Sequence, residues 1–352
     1  MISAGAAALL AVPQLLFHIA DPRIGEASGV ARGIASPNVV YVQNDSGDTA
    51  RFFALDARTG ATLATYTVPG ATNVDWEDIA VARDRRGVPS LWIADVGDND
   101  GSRPEVRLYR VDEPRVQPGV SQATTATPEV WRLRYPGGPI DAESLAVAPG
   151  GSAYLVTKAL LGGSTVYAVP ARPAAGVQTL RAVGAIQFQL TGTPGGPNRV
   201  GQLTATGASI SADGSVLAVR TYTDAYLWPL RRGDVASAVR GAPVRIALPA
   251  QPQGEGIAVD GRRLLIDSEG ADSAVYAVPL PHLSASPPSS GSGSTRGPSP
   301  GGASASASST TVERHPRYPR RYAAYGFAIG LVLLVLCIVS IWQARRRSRA
   351  VR

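Results

Sequence analysis

Five short segments place acidic or polar residues ahead of a run of small apolar ones: GEASGVA (25–31), DWEDIAVA (75–82), DAESLAVA (141–148), TGASISA (206–212) and GEGIAVD (254–260). Aligning them puts Glu26, Glu77, Glu143, Thr206 and Glu255 at one recurring position, with Asp75 and Asp141 just before it in two copies. Carboxylates gathered in this way can hold a cation, accept hydrogen bonds from a hydroxyl-rich ligand, or divide into an acid and a base. A second polar set stands one strand further along each repeat: Asn44 and Asp45; Asp95, Asp98 and Asn99; Lys158; Arg220 and Tyr222; and Glu269. Lys158 is the only lysine in the chain. Glutamates around one rim repel each other unless a cation, or Lys158 and Arg220, offsets them. Oxygen-only ligands favour Ca²⁺ or Mg²⁺ over zinc, with Glu26, Glu77, Glu143 and Glu255 as the metal ligands. The competing role for each acid is to cap a turn by accepting from nearby backbone N–H groups.

Other chemistries find little support. The three histidines, His18, His282 and His315, lie away from this rim, which argues against a Ser-His-Asp arrangement. There is no G-x-S-x-G elbow and no P-loop. Asp98-Asn99-Asp100-Gly101 resembles the core of a calcium loop, but Arg107 stands where an EF-hand needs its bidentate glutamate.

The elements that must position these groups follow from the spacing. The recurring position repeats at intervals of 51, 66, 63 and 49 residues. After each motif come a turn rich in Gly, Pro or Asp and then a β-rich run such as VVYVQ, LWIADV or AYLVTK. A third run (RFFALD, VRLYRV, TVYAVP, AYLWPL, AVYAVP) follows, and in four units a fourth. Four short strands per unit of about 50 residues is the pattern of propeller blades. The fifth unit has three strands, and QLLFHIA (14–20) supplies the missing one from the N-terminal side, closing the ring and removing an exposed edge. The expected fold is therefore all-β, a five-bladed β-propeller over residues 14–281, or a six-bladed one if a long unit hides a further blade. In such a blade the start of the first strand and the end of the second meet on one face beside the central channel, which would bring the two polar sets together.

Composition places the rest of the chain. Its 38 glycines and 28 prolines argue for many turns. The formal charge is +7, but residues 313–352 hold nine arginines against one glutamate, so the preceding 312 are close to neutral. A near-neutral domain lacks the electrostatic footprint for phosphate backbones, and nucleic-acid binding is set aside. Residues 323–342, AAYGFAIGLVLLVLCIVSIW, carry no charge and match the thickness of a bilayer core, with aromatic residues at both ends. The segments are read as a signal-like apolar N-terminus (1–13), the propeller (14–281), a Ser/Gly/Pro-rich disordered tether with a basic juxtamembrane stretch (282–321), one transmembrane helix (322–343) and a basic tail (344–352). MISAGAAALLAV resembles the apolar part of a signal peptide, so the start is expected to lie within a longer leader. The arginines after the span place the tail in the cytoplasm and the propeller outside. The sole cysteine, Cys337, lies in the span, so no disulfide framework is expected.

The segments GEASGVA…VVYVQNDSGD, DWEDIAVA…LWIADVGDN, DAESLAVA…YLVTK and QGEGIAVD…LLIDSEG resemble those of secreted or membrane-tethered bacterial β-propeller repeat proteins of the WD40-like or YVTN-like kind. A looser similarity, through SG-x-A near Ser28 and NDSGD near Asn44, is to the propeller domain called "esterase-like activity of phytase". The resemblance implies a fold and a location and carries no reaction with it. The leading functional expectation is a membrane-anchored extracytoplasmic module that binds a small-molecule, envelope or protein ligand, or a divalent cation, at an acidic channel mouth. The alternatives are a metal-assisted hydrolase of an ester, lactone or phosphoester, and a protein-interaction scaffold.

Overall fold

The computed structural model describes residues 12–283. The apolar N-terminal stretch as far as residue 11, the tether from residue 284, the 322–343 span and the basic tail lie outside the described residues. Among the described residues no helix is long and apolar enough to cross a membrane.

Strand β1 (Gln14–Ile19) is followed by a first four-strand unit, β2 (Ala27–Arg32), β3 (Val39–Asn44), β4 (Arg51–Asp56) and β5 (Thr62–Thr67). The second unit contains β6 (Trp76–Arg83), β7 (Pro89–Asp95), β8 (Val106–Asp112), a short β9 (Gln122–Thr124) and β10 (Glu129–Arg134). The third contains β11 (Ala142–Val147), β12 (Ala153–Thr157), β13 (Gly163–Ala168), a two-residue β14 (Gln178–Thr179) and β15 (Arg181–Gln187). The fourth is β16 (Ala205–Ile210), β17 (Val216–Thr221), β18 (Asp224–Pro229) and β19 (Val244–Ala247). The fifth is β20 (Ile257–Asp260), β21 (Arg263–Ile266) and β22 (Ser273–Pro279). Strand β1 pairs antiparallel with β22, Gln14 opposite Ala277 and Ile19 opposite Ser273, and completes the fifth blade.

The result is a five-bladed propeller. The surplus length of units two and three does not hide a sixth blade. It builds β9 and β14, each of which pairs in parallel with the outermost strand of the preceding blade, β5 and β10 respectively, and covers that edge. Second strands such as β3 (VVYVQN) are buried on both faces, as expected between two neighbouring blades, whereas the outer β10 alternates exposed and buried. Five apolar clusters fill the five gaps between adjacent blades; Trp92 and Trp131 of blade two, for example, lie 5.0 Å apart in the cluster that faces blade three.

Four of the inner strands carry a register shift against the second strand at the same place: between residues 27 and 29, 76 and 78, 142 and 144, and 205 and 207. The extra residues are Ser28, Glu77, Glu143 and Thr206. Such a bulge re-aims a side chain, and here it does so in blades one to four on one face of the disc, called the mouth. Antiparallel pairing places β22 running away from the mouth and β1 running toward it, so both described ends of the chain leave from the opposite face.

A candidate cation site at the channel mouth

The bulges fix the repeat more sharply than the sequence does. Asp45 N–H donates to the Glu26 carbonyl at 2.9 Å, as Gly97 N–H does to Asp75 and Lys158 N–H to Asp141. Glu26 is therefore the equivalent of Asp75 and Asp141, and Ser28 is the equivalent of Glu77 and Glu143; the sequence alignment is two residues out of step in blade one. Ser28 is buried, and its hydroxyl donates to the Glu77 carbonyl at 2.6 Å. Glu26 is exposed at the rim. Glu255 does hold the repeat position in blade five, because Gly256 pairs with Asp267 one step later.

Two acidic trios form at the mouth and share Glu77. Asp45, Asp75 and Glu77 each offer an oxygen within 4.8 Å of the others, and so do Glu77, Asp141 and Glu143. Asp75 and Asp141 thus stand beside the named ligands, while Glu26 and Glu255 belong to neither trio, so the metal set read from the sequence is regrouped around Glu77. The trios differ in how their charge is met. Lys158 forms an ion pair with Glu143, and Asp141 Oδ1 accepts the Asp98 N–H at 2.8 Å. The Asp45–Asp75–Glu77 trio has no cationic partner of this kind among the described residues. Burial pushes the Asp45 carboxyl up to about 8, helped by its hydrogen bond to Asp75. Burial, then the charges of Asp45 and Asp75, raises Glu77 well above the ordinary carboxylate range. Glu77 Oε1, Asp45 Oδ1 and Glu143 Oε2 are buried without a hydrogen-bond partner.

Gly97 completes the seat. A methyl group at position 97 would fall on the carboxylate oxygens of Glu77 and Asp75, so the bare backbone leaves the room in which those oxygens converge. Oxygen atoms alone, three converging carboxylates and buried oxygens without donors fit a hard divalent cation.

Other residues read from the sequence have structural roles. Asn44 accepts from Glu26 N–H and donates to the Arg23 carbonyl and Asp48 Oδ2. Asp95 is fully buried, paired with Arg103 at 2.7 Å and accepting from Asp75 N–H. Asp98 caps its own loop by accepting from Ser102 and Arg103 N–H groups, and Asn99 is exposed. Arg220 is wholly buried and donates to the carbonyls of Gly256 and Asp267 and to Gln251 Oε1, which ties blade four to blade five. Burial lowers its pKa to about 10. Tyr222, Glu255 and Glu269 remain at the mouth. Burial first, and the Glu255 charge second, raises the Tyr222 phenol. Burial raises Glu255 well above its ordinary range, and Glu269 less so. The charge of Lys158, which is paired with Glu143, also favours the ionised forms of Glu77, Asp141, Glu255 and Glu269.

Asp78 is a further acid that sequence reading passed over as a companion of Glu77. It is fully buried and accepts from the N–H groups of Ile79 (2.8 Å), Leu145 (2.7 Å) and Ala208 (3.2 Å), joining the inner strands of blades two, three and four. Its presence in DWED was the available signal; its direction depends on the bulge at Glu77.

No protein-family model matches the chain, and no curated protein matches it. Among solved structures it is similar to the PQQ-bound aldose sugar dehydrogenase of Streptomyces coelicolor, with 13% identity and a TM-score of 0.43 over 76% of this chain and 97% of that one. It is also similar to a gluconolactonase of Xanthomonas campestris (14% identity, TM-score 0.39, 73% of this chain and 88% of that one). A third is the hydrazine synthase of Kuenenia stuttgartiensis (11% identity, TM-score 0.36, 72% and 95%). Likenesses this distant carry neither ligand nor reaction to this chain.

Proposed function

We propose that the protein is a membrane-anchored extracytoplasmic β-propeller that binds a divalent cation, Ca²⁺ or Mg²⁺, between Asp45, Asp75 and Glu77, and holds its ligand at the mouth around that ion. The observation that carries this reading is the convergence of three carboxylates, two of them with buried unpartnered oxygens, over Gly97, where any side chain would fill the space. The test is a thermal-shift titration with Ca²⁺ and Mg²⁺ after chelation. Native protein is expected to gain stability with one of the two ions, and Glu77→Gln to lose at least about tenfold in affinity. Equal shifts in native and variant protein would remove the site.

A second reading, the metal-assisted hydrolase of an ester, lactone or phosphoester, is favoured by one observation. Glu255 is a buried carboxyl at the same mouth, raised well above its ordinary pKa and so protonated where a free glutamate is not. A proton donor and a Lewis acid at one mouth are the two groups such hydrolysis uses. Turnover of a p-nitrophenyl ester, a lactone and a p-nitrophenyl phosphate by native protein, lost in both Glu77→Gln and Glu255→Gln, would establish it. Cation binding without turnover would leave the binding module.

A further inference from the structure

The near-neutral charge of the propeller hides two unlike faces. Loops that join second to third strands, and each fourth strand to the next blade, lie at the mouth; the other loops lie on the opposite face, the base. The mouth loops carry thirteen acids against three arginines and Lys158. The base loops carry nine arginines against four acids, and the strand ends beside them add equal numbers of each sign. Of those four acids, Glu113 is buried and accepts from the Ile34 and Ala35 N–H groups, while Asp84 pairs with Arg86 and Arg110. All nine arginines are exposed. Among the described residues the side chains of Arg58, Arg115, Arg172 and Arg232 make no hydrogen bond or ion pair. Each of the four stands between the third and fourth strands of its own blade, in blades one to four. The corresponding place in blade five is where the described chain enters β1 and leaves β22.

We propose that the base of the disc is a docking surface for an anionic phospholipid bilayer. Guanidinium groups keep their charge at any physiological pH and match phosphate geometry with paired N–H donors. Arginines spaced one to a blade suit a sheet of charge rather than one small anion, and the same sheet repels the acidic mouth. Attraction between exposed charges is screened by salt and is weak for a free protein at physiological ionic strength. On a tether the effective concentration at the surface is high, so the attraction sets which face the propeller turns toward the lipid. This inference goes beyond the cation site and rests on the anchored reading of the chain.

The test is arginine labelling with phenylglyoxal, read by mass spectrometry, on the full chain in nanodiscs of phosphatidylglycerol or phosphatidylcholine at about 50 mM NaCl. Arg58, Arg115, Arg172 and Arg232 are expected to react at least about threefold more slowly on phosphatidylglycerol. Arg199, exposed at the mouth, should react equally on both lipids. At about 1 M NaCl the difference should vanish. Combining Arg58→Glu, Arg172→Glu and Arg232→Glu should restore fast labelling of Arg115 with the melting temperature unchanged, since the three side chains hold no partner. Equal rates on both lipids, slowing of Arg199 as well as the base, or protection unchanged in the triple variant would overturn the docking surface. A full chain that does not enter nanodiscs would sink the anchored reading instead. The labelling is then run with added vesicles of each lipid, where protection of the base by phosphatidylglycerol upholds the docking surface and its absence ends it.

Discussion

At the scale of single residues, the mouth is a problem of unmet charge. Asp45 and Glu77 are held in protonated or uncompensated form by burial and by each other, and a divalent cation is what would let both ionise. A carboxyl whose pKa is raised on folding contributes stability that is complete below the unfolded value near 4 and is lost as pH rises through the folded value. For Asp45 that window runs up to about 8. In chelator the melting temperature is therefore expected to fall between pH 5 and pH 8.5 by ~5 °C or more, and added Ca²⁺ to reverse most of the fall at the alkaline end. A flat profile would contradict the reading. Gly97→Ala is the steric counterpart. Gly97 does not occupy the left-handed region, so alanine fits its backbone, and its methyl group takes the cation's place. The variant should fold, shown by an unchanged far-UV circular dichroism spectrum, and lose the Ca²⁺-dependent shift. Much of this chemistry was legible in DWED, DAES and NDSGD, because acids at one repeat position must meet in a ring. The slip at Glu26 was not avoidable: GEASGVA carries its acid two residues early, and only the backbone bulge shows that Ser28 is the true counterpart of Glu77.

At the scale of elements, the strand count and the closing role of β1 were readable from alternation and from the three-strand fifth unit. The supplementary β9 and β14 were not, since two or three residues carry no periodic signal. Phe17 on β1 is buried in the cluster between blades five and one, so Phe17→Ala is expected to cost about 3 kcal/mol in denaturant unfolding by leaving a cavity at the closure. Asp78 is the other element-level device. Replacing it by asparagine turns one acceptor oxygen into a donor facing backbone N–H groups, and the variant should lose about 2–3 kcal/mol. Because Asp78 follows Glu77 and grips the strand two residues past Glu143, Asp78→Asn should also weaken Ca²⁺ binding. Stability lost with affinity unchanged would show that it acts on the fold alone.

At the scale of the whole molecule, the proposed anchoring predicts a simple partition. The full chain should sediment with membranes and require detergent, and cleavage within 284–311 should release a soluble propeller. Release by high salt alone would argue for surface attachment instead. Five interblade cores and a ring closed by its own first strand make the described residues self-sufficient in packing. Since residues 12 and 283 both depart from the side away from the mouth, the protein has a built-in handle. Grafted to a sensor chip or a fluorescent reporter through that side, it would keep its acidic bowl turned toward the bulk solution, where analytes arrive unhindered.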